Sequence, residues 1–356
     1  MRPNRVTLDP GALAHNLALL RDLLPSGTRI WQVCKGDGYG LGTVRAAELG
    51  HAQGLRHFCA GTPDEALSLR AGFPDSEVLL FPGAEAADLP DLARQGITVT
   101  LHNQPSLRAV LDGAPGARFQ VKLDTGLHRY GFDTETWPAA LEALRGRAGL
   151  SGLYTHLGQA QSGAVDMASA RFQRMRAQAR AVLGFAPPAM LAASHTLLSR
   201  PDLALDAVDP GRALYGMVPP SEAAGLGLRP VVSAVTSRLI DTRQLSPGMP
   251  ASFGYGRRAE GVTRTGTFPM GSFDGLPGDG PLGSVLVRGA EAPVLSRTLL
   301  ATIVDLTDIP SACEGDVVIL AGEDGGRRRD LFDLAESVGS TPTRLHFTLI
   351  RALPIA

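Results

Sequence analysis

The sequence predicts a (β/α)8 barrel followed by a mostly β C-terminal domain, and three observations carry that expectation. Eight short apolar runs between residue 29 and residue 211 alternate with helix-period patterns, the order of parallel strands joined by crossover helices. After about Gly227 the rhythm changes, and β-branched residues alternate with polar ones. The 356 residues leave room for a barrel of about 250 residues and a smaller companion. The expected domains are 1–227 and 228–356, with the first few residues available as a strand of the second. A doubly wound open sheet is the weaker competitor, because eight strand–helix units in roughly 200 residues suit closure.

The elements follow in order. "RVTLDPGALAHNLALLRDLLP" reads as a short strand and then a helix. The barrel strands are "RIWQVCK", "HFCAG", "EVLLFPG", "ITVTLHN", "RFQVKLD", "GLYTHLG", "AMLAAS" and "LDAVDPG". "TPDEALSLRAGF" and "DMASARFQRMRAQARAVLGF" repeat apolar residues at three- and four-residue steps, as amphipathic helices do. In the second part, "VVSAVTSRLI", "RTGTFPMG" and "TLLATIVDLTDIP" read as strands, whereas "GSFDGLPGDGPLG" and "GEDGGRRRD" read as solvated loops.

Composition narrows the partners. A net charge of −1 with 19% charged and 44% apolar residues creates no field that gathers nucleic acid or an anionic membrane, so a small-molecule partner is expected. Cys34, Cys59 and Cys313 are too few and too scattered for a disulfide framework or a zinc cluster, which fits the reducing cytoplasm. "MRPNRVTLDP" has no apolar core of signal-peptide length, and no run of about 18 apolar residues occurs, so neither secretion by that route nor membrane spanning is expected.

Barrels gather reactive groups at the carboxyl ends of their strands. Here those ends supply Lys35, Asp124 with Arg129, Thr155-His156, Ser194, and Asp209-Pro210-Gly211. A lysine on the buried side of a strand is costly, because its ammonium resists leaving water. Lys35 reads either as a Schiff-base nucleophile or as a lysine capping its loop in water, and alone it leaves both open. Ser194 and Gly211-Arg212 follow strands seven and eight, where barrels commonly hold a phosphate. A lysine and a phosphate site in one barrel point to pyridoxal 5'-phosphate (PLP). The glycines of "GDGYGLG" fall at 36, 38, 40 and 42, which is not the dinucleotide spacing G-x-G-x-x-G.

"VCKGDGYGLG" resembles the PLP-lysine motif of the alanine racemase family, and "VKLDTGLHRYGF" resembles its K-x-D-T-G-M-x-R-x-G-F segment. "YTHLGQA", "LAASHTLLSRPDLALDAVDPGRALYGM" and "IVDLTDIPSACEGDVVILAG" are similar to further segments of that family, in the same order. The resemblance implies a fold-type III PLP enzyme that interconverts L- and D-amino acids as a homodimer with shared active sites. Carried over by position, Lys35 bonds the cofactor and exchanges a proton on one face. Tyr39, Ser194, Gly211 and Arg212 hold the phosphate, although a rim aromatic (Tyr39) and a helix N-cap (Ser194) are the plainer readings. Arg129 reaches the phenolic oxygen and the substrate carboxylate, and Lys122 matches a lysine that some members carbamylate. His156 lies near the pyridine ring, or is an ordinary core histidine. The opposite-face base is a tyrosine, which "GYGR" places at Tyr255 and ungapped counting would replace by Phe253.

Some positions depart from the pattern. Where the family usually carries an arginine facing the pyridine nitrogen, this chain has Asp209. Asp209 could meet that nitrogen, Arg212 could fold back to it, or Asp209 could turn into a salt bridge. Leu41 replaces a histidine, "GSFDG" replaces G-Y-A-D-G, and Leu299-Leu300-Ala301 replaces M-D-Q. These changes leave room for another PLP reaction, a decarboxylase or lyase, or for a PLP-binding homologue with little racemase activity.

Overall fold

The computed structural model describes residues 2–158, 162–223, 225–252, 255–276 and 283–355. The polypeptide divides into two compact units, Leu13–Arg229 and a second formed by residues up to Ala12 together with Pro230–Ala356.

The first unit is a closed parallel barrel. Its strands are Arg29–Ile30 continuing as Gln32–Val33, His57–Ala60, Glu77–Leu80, Thr98–Leu101, Phe119–Lys122, Leu150–Tyr154, Ala189–Ala193 and Ala207–Asp209. The ring closes through the first strand, which pairs with the eighth before Trp31 and with the second after it. The Trp31 N–H donates to Val208 O at 2.8 Å and the Cys34 N–H to Cys59 O at 2.8 Å. Strands covered on both faces read as continuous apolar runs, and Phe58, Leu79, Val99, Leu101, Val121, Leu153 and Val208 are fully buried. The predicted helices occupy Pro63–Gly72, capped reciprocally by Thr62 and Glu65, and Ser162–Leu183.

The second unit is antiparallel. Its sheet runs in the order Arg5–Leu8, Val232–Arg238, Val317–Asp324, Ser284–Val287, Ala290–Arg297, Thr302–Asp305, Thr263–Phe268 and Asp241–Leu245. Asp274 helps tie the chain's beginning into this unit. Its carboxylate accepts from Arg2 at 2.6 Å, Asn4 at 3.3 Å and the Gly271 N–H at 2.9 Å. Two segments read as solvated loops are more ordered than that. "GEDGGRRRD" is a hairpin of Val317–Asp324 with Arg327–Arg329, because the glycine pair makes its turn. Within "GSFDGLPGDGPLG", Ser272–Asp274 forms a 3-10 turn with Asp274 buried, and residues 277–282 lie outside the described residues. The helices Leu331–Ser337 and Pro342–Ala352, capped by Asp330 and Thr341, add to the β-rich sequence reading. Among the described residues no helix is long and apolar enough to cross a membrane.

Candidate active site

The carboxyl mouth of the barrel begins with an unusual turn. Lys35–Tyr39 leaves the first strand in the left-handed helical region, with φ of 68° at Gly36, 56° at Asp37, 61° at Gly38 and 57° at Tyr39. Left-handed backbone costs an L-residue about 1–2 kcal/mol, and glycine adopts it freely, which accounts for Gly36 and Gly38. A Cβ on Gly38 would also lie 2.7 Å from Ala46 Cβ. Asp37 is held by its neighbours: its N–H donates to Glu65 Oε1 at 2.7 Å, and its Oδ1 accepts from the Thr43 N–H at 2.9 Å. The other Glu65 oxygen accepts the Gly61 N–H at 2.8 Å. Gly61 in turn leaves space for Lys35, since a Cβ there would sit 2.9 Å from Lys35 Cβ. The Lys35 side chain is exposed, with Nζ 5.7 Å from the Phe81 ring centroid. The cost expected of a buried lysine therefore does not arise, and its amine is open to a reagent at the mouth.

Tyr39 is buried and packs on Tyr215, ring centroids 4.7 Å apart. The Tyr215 hydroxyl donates to Val33 O at 2.9 Å, tying this pair to the strand that presents Lys35. Gly211 lies against the Tyr39 hydroxyl so closely that a Cβ would come within 2.3 Å of it. Ser194 is the first residue of the helix Ser194–Ser199, and Ala193 occupies the capping position, so the N-cap reading of Ser194 is replaced. Its Oγ instead accepts the Ala213 N–H at 3.0 Å, joining the loops after strands seven and eight.

The loop after strand five carries Arg129, which is exposed. Asp124 Oδ1 shapes it by accepting the N–H groups of Gly126 at 2.9 Å, Leu127 at 3.0 Å and His128 at 3.1 Å. Thr125 and Thr155 share a hydroxyl contact of 3.0 Å, which links this loop to the end of strand six.

The charges at these strand ends act on one another. Burial first, and then the positive charges of Lys122, Lys35, Arg129 and Arg212, hold the His156 imidazole neutral, with its pKa lowered to about 3. Burial lowers the Lys122 ammonium to about 8, with Asp209 opposing and Arg129 reinforcing. Burial raises the Asp209 carboxyl to about 7, against the pull of Lys35 and Lys122. Burial and the Asp209 charge push the Tyr39 phenol upward. Lys35, Tyr39, Lys122, Arg129, His156, Asp209 and Arg212 thus share one electrostatic environment.

Two family models match the chain, the alanine racemase N-terminal domain over residues 8–219 and its C-terminal domain over 232–355. The chain is 32% identical over 358 residues to the alanine racemase of Mycobacterium avium, covering 96% of this chain and 91% of that protein. It is 32% identical over 360 residues to the catabolic alanine racemase of Pseudomonas putida, covering 99% and 98%. The chain belongs to the alanine racemase family. Its fold superposes on the crystal structure of alanine racemase from E. faecalis with a TM-score of 0.89 at 27% identity, covering 99% of this chain and 98% of that one.

As a member of the alanine racemase family the chain also brings residues to the mouth that sequence reasoning missed. Glu65 carried a legible signal as the fourth residue of the capping box "TPDE", but its reach to Asp37 did not. Tyr215 lies in the stretch similar to the family, yet its bond to Val33 spans 182 positions. In the second unit, Tyr255 opens the strand Tyr255–Arg258, opposite Ser252 in Pro250–Ser252. Phe253 lies outside the described residues.

Proposed function

We propose that this chain is a PLP-dependent amino-acid racemase working with the strand-end residues named above. The observation that carries it is the convergence at one barrel mouth of an exposed amine, Lys35, with a buried polar wall formed by Tyr39, Ser194, Asp209 and the bare backbone of Gly211. This set fits PLP: Lys35 suits the aldehyde, and the Gly211 backbone with Ser194, Arg212 and Tyr39 suits the phosphate. When bound, PLP supplies an electron-withdrawing ring conjugated to the substrate nitrogen, which acidifies the Cα–H bond.

The protein's share is orientation and proton transfer. Arg129, on the loop shaped by Asp124, binds the substrate carboxylate, a bidentate match for a guanidinium. Lys35 takes or returns the Cα proton on one face. His156 stays neutral and adds a hydrogen-bonding edge without another positive charge. Racemisation needs a second acid/base on the other face, a role we assign to Tyr255 of the partner subunit in a homodimer. The exposed apolar side chains Phe273, Leu299 and Leu300 support such a contact, and the Phe273 N–H donates to Leu299 O at 3.0 Å, which keeps them together.

The test is the protein incubated with PLP and L-amino acids in D2O. Deuterium entering Cα with inversion supports the reading. Deuterium without inversion overturns the two-base assignment, and no exchange with any common amino acid overturns the racemase. Lys35→Ala is expected to abolish the visible absorption of the bound cofactor, and retention of that band would refute the role of Lys35.

A further inference from the structure

We propose that Asp209 is the partner of the PLP ring nitrogen and keeps that nitrogen protonated. The inference rests on the PLP reading above and concerns one carboxylate. Asp209 ends the eighth strand, directly before the Pro210–Gly211 turn that lies against Tyr39. It is 9% exposed. Its charge is felt by Tyr39 after the first strand, Cys59 on the second, Lys122 on the fifth and Tyr154 on the sixth. Buried at the carboxyl end of its strand, the carboxylate thus lies within electrostatic reach of groups around the barrel mouth.

Neither nearby lysine forms an ion pair with it. Lys35 Nζ lies over the Phe81 ring, and Lys122 Nζ lies 4.8 Å from the Tyr154 ring centroid. The other titratable groups around it, Tyr39, Cys59 and Tyr154, have pKa values raised by burial and stay neutral near pH 7. Arg212 bears instead on Tyr39 and His156. Among the described residues Asp209 has no ion-pair partner, and a buried carboxylate so placed is costly, so a ligand that offers it a charged N–H is favoured.

The chemistry of PLP selects the atom. Its phosphate is anionic and its phenolic oxygen is an acceptor, and both repel a carboxylate. Its aldehyde carbon would be held by Lys35. The ring nitrogen alone can present an N–H, by accepting a proton, and Asp209, titrating near neutrality, is able to share one. A protonated ring draws negative charge out of the substrate's Cα–H bond more strongly than a neutral one.

The experiment loads the full chain with PLP labelled with 15N in the ring and records its nitrogen resonance at pH 8, beside the visible band, in wild type, Asp209→Asn and Asp209→Ala. The expected result is a protonated-pyridinium shift in wild type and an unprotonated shift in both variants, with PLP affinity at least about tenfold weaker in Asp209→Ala. Asn preserves the side-chain shape, so Asp209→Asn decides the matter should Asp209→Ala not fold. A wild-type nitrogen that is unprotonated, or a shift indifferent to residue 209 while the visible band is present, overturns this inference and leaves the PLP reading standing. A wild-type chain that takes up no PLP overturns both.

Discussion

Substituting Gly211 by alanine tests how the barrel mouth is built. Gly211 does not use a left-handed backbone, so the added methyl brings steric cost alone. That methyl would lie 2.3 Å from the Tyr39 hydroxyl oxygen, 3.3 Å from Tyr39 Cζ and 3.4 Å from Val33 Cβ. Relieving the first contact requires a retreat of about 1 Å toward ordinary van der Waals distance. Tyr39 is 6% exposed and backed by Tyr215, so it cannot retreat freely. Overpacking of this kind costs about 1–3 kcal/mol. Urea unfolding at constant m-value reads that loss, and an absorbance titration reads PLP affinity, in which each 1.4 kcal/mol is about tenfold. The cycle is completed in a Tyr39→Phe background, which deletes the closest atom. There Gly211→Ala is expected to cost less than half as much, leaving a coupling of about 1 kcal/mol between the two positions. Equal losses in both backgrounds would refute the packing argument.

Further outcomes follow from the same geometry. Folded His156 takes up a proton only near pH 3, against 6.5 for an ordinary histidine, so between those values the unfolded chain binds more protons and stability falls as pH drops. Asp209 acts in the opposite sense between its ordinary 3.8 and about 7. The difference between wild type and His156→Gln, in cofactor-free protein, isolates the histidine: the variant gains relative stability below pH 6.5 by up to about 1.4 kcal/mol per pH unit, and a pH-independent difference contradicts this. Asp124→Ala releases three N–H groups and loosens the Arg129 loop, so KM should rise about tenfold or more with a smaller change in kcat; an unchanged KM removes the positioning role. Mixing inactive Lys35→Ala with inactive Tyr255→Phe should restore activity as mixed dimers form with one intact site, and no recovery despite subunit exchange, seen by native mass spectrometry, excludes shared sites.

The eight barrel strands and their order were legible because strand and helix periodicities repeat within a few residues, and burial on both faces of a parallel sheet leaves continuous apolar runs. Lys35, Ser194 and Gly211 were legible for a related reason, since a strand end is itself a sequence position. Which way those side chains act was not. That Glu65 secures the left-handed turn and that Gly211 must be bare because Tyr39 stands against it are contacts between distant parts of the chain, and the burial of Asp209 within reach of the charges of Lys35 and Lys122 is equally long-range. The neutral state of His156 is likewise a sum of burial and four cations, drawn from the fifth strand and its loop and from the turns after the first and eighth strands. The sequence by itself determined a barrel with an amine at its mouth. Tertiary structure decided the electrostatics there, because burial and charge–charge distance exist only once the ring has closed.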